Sequence, residues 1–466
     1  MVHQFKNNGY NIVLDVESGA IHEVDDIAYE MIASYKNFPK KELFQKISEL
    51  FPDLSEGEFE EIYGEIVQLE KEGSLFTEGD YEERMIDFSS RPVVVKALCL
   101  HVAHDCNLSC RYCFAEEGKY HGQVRELMDF ETGKQALDFL VAHSGSRRHL
   151  EVDFFGGEPL LNFEVVKRLV AYGRSIEKEN DKEFRFTLTT NGVLLNEDVL
   201  EFANRELSNV VLSLDGRQGV NDAMRPFRGK DKRGSYDTIV PKFQQFVKGR
   251  KGTYYVRGTY TRENLDFSKD VLHLFDLGFD QISVEPVVAP QSEVYAIQEE
   301  DLLVLYDEYD ALAAEMARRA GTKDDFTFFH FMIDLEGGPC VYKRLSGCGS
   351  GTEYLAAAPG GDLYPCHQFV GQEGFRLGSV YSGIEKTDLV DKFKSCNVYA
   401  KKECRDCFAR FYCSGGCAAN AFHASGDING VYEIGCKLQR KRVECAIMLQ
   451  VAKSHENESS GVDSED

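Results

Sequence analysis

Apolar residues near the start of the chain fall at every second position. Tyr10, Ile12, Leu14 and Val16 follow the turn NNG, which predicts a strand with one face buried. The turn ESG at 17–19 then leads to a partner segment from Ala20 to Val24. Beyond it the apolar period lengthens to that of a helix. Asp25 and Asp26 are placed to cap a helix carrying Ile27, Met31 and Ile32, and a second helix carries Leu43, Ile47, Leu50 and Phe51. Ser55 caps a third, striped by Phe59, Ile62, Tyr63, Ile66 and Leu69 and ended by Gly73, which tolerates a left-handed conformation.

Strands followed by three helices predict a winged helix-turn-helix unit over residues 1–80. Glutamates crowd its helices, as in SEGEFEEIYGEI, and would repel the phosphates of DNA. Two roles stay open: an accessory packing domain, or a platform on which a peptide adds a strand to the sheet edge. A linker is expected at 81–92.

From 93 to 320 six strand-like runs alternate with amphipathic stretches of crossover-helix length. The runs are VVVKALCLHV, EVDFFGGEP, RFTLTTNG, VVLSLDG, YYVRGTYT and QISVEPV. Six such units make an α/β fold, either an open doubly wound sheet or a partial barrel, and both place working loops at the C-terminal strand ends. GGEP, TTNG, LDG and EP fall at those ends. From 335 to 450 the repeat gives way to Gly, Cys and irregular segments, expected to fold around metal rather than a large apolar core. The end, SHENESSGVDSED at 454–466, has the composition of a disordered acidic tail.

At 466 residues and 43% hydrophobic, the chain suffices for two to four domains. Its net charge of -25 argues against spreading over nucleic acid or anionic lipid. The first residues lack the basic and apolar stretches of a signal peptide, and no run of 18 apolar residues follows. A soluble cytoplasmic protein is therefore expected, with no nucleic-acid or membrane partner. Fourteen cysteines in that compartment point to metal ligation rather than disulfides.

CNLSCRYCF places Cys106, Cys110 and Cys113 at C-x3-C-x2-C spacing after the first run. Three close thiolates suit a 4Fe-4S cubane whose fourth iron stays open to an outside ligand. A zinc site would recruit a fourth ligand, for which His101, His104 and His121 are near enough in sequence. Further on stand CGSGTEYLAAAPGGDLYPC, CRDCFARFYCSGGC and Cys436. A zinc ribbon would account for Cys404, Cys407, Cys413 and Cys417 but would leave Cys348, Cys366 and Cys436 idle.

The first triplet, with Tyr112 before its last cysteine, resembles the radical S-adenosylmethionine (SAM) superfamily. That resemblance implies a 4Fe-4S cluster on Cys106, Cys110 and Cys113 that binds SAM and, given one electron, releases a 5′-deoxyadenosyl radical. It also implies Tyr112, Gly156, Gly157 and Glu158 beside SAM, with the GGE residues at its ammonium. Thr190, Asn191 and Ser213 match ribose contacts, and Arg225 a partner of the SAM carboxylate. The seven later cysteines resemble a SPASM domain, which implies two auxiliary 4Fe-4S clusters. The outer one would take Cys404, Cys407, Cys413 and Cys436. The inner would take Cys348, Cys366 and Cys417, with Cys340 as its fourth ligand or the position open to a substrate thiolate. Cys99, Cys396 and Cys445 fit no motif, and packing is their default role.

Taken whole, residues 1–450 resemble the radical SAM maturases of ribosomally made peptides. LHVAHDCNLSCRYCFAEEGKYHG is most similar to the CteB-type maturases of SCIFF peptides (six cysteines in forty-five residues). The resemblance implies a partial (β/α)6 barrel, a winged leader-peptide recognition domain and a SPASM domain. The implied reaction is a thioether crosslink between a cysteine sulfur and a backbone or side-chain carbon, of threonine in the known cases. Its substrate would be a cysteine-rich precursor bound through its leader, and its reductant a low-potential flavodoxin or ferredoxin. The alternative is another SPASM oxidase, such as the sulfatase-maturing enzymes that make formylglycine. That family places an aspartate directly after the cysteine matching Cys366, where this chain has His367. A non-catalytic iron-sulfur carrier is the rival of another class.

Overall fold

The computed structural model describes residues 1–79, 90–122, 124–230, 232–335 and 341–460. Cys340, most of the linker read at 81–92 and residues 461–466 of the tail lie outside the described residues. Val2–Asn7 (β1) turns through Asn8 and Gly9, both at positive φ, into Tyr10–Asp15 (β2), and Ile21–Glu23 (β3) completes an antiparallel sheet. Three helices follow: Asp26–Tyr35 (α1), Lys40–Leu50 (α2) and Glu56–Glu72 (α3). Asp25 accepts the amide of Ala28 at 2.7 Å, Ser55 accepts that of Glu58 at 3.1 Å, and Gly73 ends α3 at φ 74°.

The alternation in β2 misled in one respect, because both of its faces are buried. Val13 packs with Met31, Leu43 and Phe59 under the helices, while Ile12, Leu14 and Val16 join the core of the main body. This N-terminal unit is anchored on that side. The His3 and Phe408 rings stack with centroids 3.5 Å apart, Asn7 donates to Asp310 at 2.7 Å, and Glu17 pairs with the buried Arg410. On the opposite side no strand among the described residues pairs with the outer edge of β3.

The six expected runs form Ala97–Ala103 (β4), His149–Gly156 (β5), Glu183–Thr190 (β6), Leu207–Ser213 (β7), Thr253–Tyr260 (β8) and Gln281–Pro286 (β9). Between them run Phe130–His143 (α4), Phe163–Asn180 (α5), Glu197–Glu206 (α6), Gln218–Met224 (α7), Tyr236–Gly249 (α8) and Phe267–Asp276 (α9). Leu302–Arg319 (α10) and a two-residue strand, Thr327–Phe328 (β10), extend the series. Strands β4 to β10 are parallel and adjacent in chain order. A doubly wound sheet reverses its order at a switch point; this one does not, so of the two architectures the winding is that of the partial barrel.

The C-terminal region differs from its expectation. After Val341–Ser346 (α11), Tyr354–Ala357 (β11) pairs in parallel with β4. Asp362–Tyr364 (β12), Gly378–Ser379 (β13) and Gly383–Ile384 (β14) then carry the sheet to eleven strands. Short helices follow at Thr387–Lys394 (α12), Lys402–Arg405 (α13), Arg410–Cys413 (α14) and Ala418–Ser425 (α15), then one of 28 residues, Glu433–Ser460 (α16). Leu355, Leu363, Leu377, Leu438, Ile447 and Met448 are buried in the same core as the barrel. This region therefore shares a large apolar core instead of standing on metal alone. The tail expected to be disordered from 454 is helical through Ser460, and His455 reaches back to Glu23 at 2.5 Å. Cys99 and Cys445 are buried in β4 and α16, as packing residues.

Candidate active site

The C-terminal ends of β4 to β7 surround one cavity. It is lined by Cys106, Cys110, Tyr112, Cys113, Gly156, Gly157, Thr190, Asn191, Ser213 and Arg225, so ten of the eleven residues read from the first site and its strand ends meet there. Leu108, Phe114, Ala115, Glu117, Phe155 and Thr189 complete its wall.

The exception is Glu158, which lies beneath the wall. Its carboxylate accepts the Thr190 hydroxyl at 2.8 Å, the Asn191 amide at 2.8 Å and the Leu160 amide at 3.1 Å. Burial pushes this carboxyl up to about 7, against those hydrogen bonds and the more distant Arg225. Glu158 thus fixes the end of β6 rather than reaching the cavity. The Asn191 side chain in turn donates to Asn107 at 2.7 Å and to the Cys106 sulfur at 3.6 Å.

The glycine pair is needed for a close approach of backbone to backbone. A Cβ on Gly156, at φ 131°, would stand 2.2 Å from the Ala103 carbonyl oxygen, and one on Gly157 would stand 2.2 Å from that of Asp105. The Gly157 and Glu158 amides instead donate to those same oxygens, at 2.7 and 2.8 Å, and so tie the end of β5 to the root of the cysteine loop. Gly157→Ala is expected to cost about 1–3 kcal/mol by overpacking. It should also displace Cys106, read as a lower melting temperature with reduced iron uptake.

One functional residue escaped the sequence reading. Asp215, fully buried at the end of the fourth run, accepts the Tyr112 hydroxyl at 2.7 and 2.8 Å and the Thr259 amide at 3.0 Å. It stands 3.7 Å from Arg225, whose Nη1 donates to Tyr112 at 2.9 Å. Burial opposes the Arg225 charge, and Tyr112, Cys110 and Asp215 outweigh it, so the guanidinium stays protonated. Its Nε is buried without a partner among the described residues. The signal for Asp215 was its place in LDG, at a strand end among the other motifs.

Burial also pushes up the thiols of Cys106, Cys110 and Cys113, Cys110 to about 12. As thiolates they would need positive charge beside them, which an iron cluster supplies. Three thiols, a glycine-lined wall and a buried arginine in one cavity fit a cluster with an anionic ligand.

The later cysteines fall into two neighbourhoods. Cys413 lies near Cys436, Cys404 and Cys407, while Cys366 lies near Cys417 and Cys348. The dense run at 404–417 is therefore divided, with Cys417 beside residues far away in sequence. Cys396, left without a motif above, lies near Cys348 and Cys417 and points its thiol at the Ile428 carbonyl. Among the described residues no three His, Cys, Asp or Glu side chains are gathered tightly enough to hold one metal ion.

Residues 95–236 match the model of a family described as a 4Fe-4S single cluster domain. An uncharacterized protein of Methanocaldococcus jannaschii, MJ0907, is 30% identical over 192 residues, 41% of this chain. The match spans only 62% of that relative's length. The cysteine-type anaerobic sulfatase-maturating enzyme of Clostridium novyi is 23% identical over 68% of this chain and 86% of its own. Among solved structures, native anSMEcpe with bound AdoMet aligns with a TM-score of 0.64 at 20% identity, over 77% of this chain and 99% of that one. Streptococcus suis SuiB bound to S-adenosylmethionine aligns with a TM-score of 0.50 at 16% identity, over 93% and 98%.

The fold is thus shared with anSMEcpe and SuiB, both solved with S-adenosylmethionine bound, and the match to a 4Fe-4S single cluster domain falls on the strands and cysteine loop around the first cavity. The chain is also similar, at 24% identity over 71% of its length, to the PqqA peptide cyclase of Bradyrhizobium diazoefficiens. Among the described residues no helix is long and apolar enough to cross a membrane.

Proposed function

We propose that this protein is a cytoplasmic peptide maturase that joins a cysteine sulfur to a carbon, of threonine by resemblance, in a cysteine-rich SCIFF precursor. The observation that carries this reading is the position of a second cavity, of about 410 Å³. It is lined by Glu285 and Pro286 at the end of β9 and by Cys413, Cys417 and Cys436. The barrel mouth and both later cysteine groups thus open on one space. Val288, Phe329 and Met332 leave apolar surface exposed on its lining, as a peptide bay requires.

Cys106, Cys110 and Cys113 would hold a 4Fe-4S cluster with SAM, which together supply a 5′-deoxyadenosyl radical on one-electron reduction. Gly156 and Gly157 let the end of β5 close against the root of the cysteine loop. Arg225, held charged by Asp215 and Tyr112, suits the SAM carboxylate, and Ser213 its ribose. Cys404, Cys407, Cys413 and Cys436 would hold one auxiliary cluster, and Cys348, Cys366 and Cys417 the other. In the bay Glu285 is a fixed anion: burial alone would raise its carboxyl, but Arg257, His330 and Arg442 hold it down to about 2. His330 is itself lowered to about 3 by burial and Arg442, so at neutral pH the two arginines carry the effect. The unpaired edge of β3 is the place for a leader peptide to add a strand. SuiB has been solved with its precursor peptide SuiA, which supports a peptide partner for this fold.

The reaction balances as SAM, a thiol and a C–H bond going to methionine, 5′-deoxyadenosine, a thioether and one proton. The electron that starts it returns when the C–S bond forms. Mass spectrometry of a cysteine-rich peptide co-expressed with the enzyme tests this. The expected product has lost two hydrogens, keeps that loss after reduction and has one thiol fewer to alkylate. A product with every cysteine free, or with formylglycine in place of one, would reject thioether formation.

A further inference from the structure

Lys401, just before α13, is only 2% exposed. Its ammonium donates to the Gly430 carbonyl at 3.0 Å, and among the described residues no carboxylate pairs with it. A buried ammonium with one neutral acceptor lacks both counter-charge and hydrogen-bond partners, an arrangement that persists only where something else supplies the negative charge.

Lys401 lines the second cavity together with Cys413, Cys417 and Cys436. These cysteines come from both later groups, so one cation faces the two sets at once.

We propose that Lys401 is a built-in counter-charge shared by the two auxiliary clusters and that it raises their reduction potentials. The inference rests on the reading of two auxiliary clusters given above. A cluster held by thiolates carries net negative charge and gains more on reduction, so a fixed cation beside it stabilises the reduced form. The same charge makes either cluster a better acceptor for the electron released when the C–S bond forms. Lys401 would act as a positioning residue, through the clusters and without touching the peptide.

The test is an EPR-monitored redox titration of the anaerobically reconstituted full chain, with Lys401→Gln and Lys401→Arg alongside it. Lys401→Gln is expected to shift the auxiliary reduction equilibria at least tenfold toward the oxidised form, 59 mV for one electron. The SAM-binding cluster should stay unmoved and Lys401→Arg should remain within threefold of the parent. Loss of auxiliary iron from Lys401→Gln with retention in Lys401→Arg would also support a role for the charge. A shift under threefold in Lys401→Gln, equal shifts in both variants, or loss of iron from both would overturn it. A parent chain with only about four irons would overturn the reading of two auxiliary clusters, and this assignment with it.

Discussion

Replacing Cys106, Cys110 and Cys113 together with alanine is expected to remove about a third of the bound iron and to abolish formation of 5′-deoxyadenosine, while the auxiliary iron stays. The three thiols line one cavity, and the later cysteines occupy two separate neighbourhoods. Hydrogen bonds to neighbouring elements also hold the loop's backbone. The Ser109 and Arg111 amides donate to Pro226 and Met224 at 2.9 Å, and the Tyr120 hydroxyl donates to the Gly156 carbonyl at 2.9 Å. Iron and sulfide analysis beside chromatography of the SAM products checks both halves. Unchanged iron in the triple variant would contradict the assignment.

The second large effect falls on Asp215. Asp215→Ala is expected to destabilise the fold by about 3–5 kcal/mol, because it leaves the Arg225 guanidinium buried without its anion. Tyr112→Phe removes one hydroxyl from the same network and should cost only about 1 kcal/mol. Adding Arg225→Met to Asp215→Ala should recover part of the loss, since the unpaired charge is then gone. Denaturant unfolding measures all three. SAM affinity should remain weak in the double variant even where stability returns, which separates binding by Arg225 from packing.

The pieces legible in the sequence were those that local chemistry dictates. Helix caps at Asp25 and Ser55, the αL glycine at 73 and six apolar runs each depend on a few adjacent residues. Spacing drew attention to the cysteine runs, but the division of the later ones into two sets came from the resemblance alone, since Cys404, Cys407, Cys413 and Cys417 could by spacing have formed one site. What stayed hidden depends on contacts distant in sequence. Val13 in β2 is buried only because helices cover its face. In α16 the charged Lys441 and Arg442 lie among the buried positions, pairing with Asp310 at 2.6 Å and the Tyr309 hydroxyl at 2.8 Å, so no clean apolar stripe announced the helix. Glu158 read as a ligand contact by its place in GGEP, yet its carboxylate turns away to hold Thr190 and Asn191. No spacing rule carries the direction in which a side chain points.

The central claim is that the cavity at the ends of β4 to β7 performs radical cleavage of SAM. Anaerobic reconstitution with iron and sulfide, then dithionite and SAM, tests it directly. The account predicts 5′-deoxyadenosine and methionine in equal amounts, formed faster with a cysteine-rich peptide present. A reconstituted protein that holds its iron, is reduced by dithionite and yields no 5′-deoxyadenosine would contradict it.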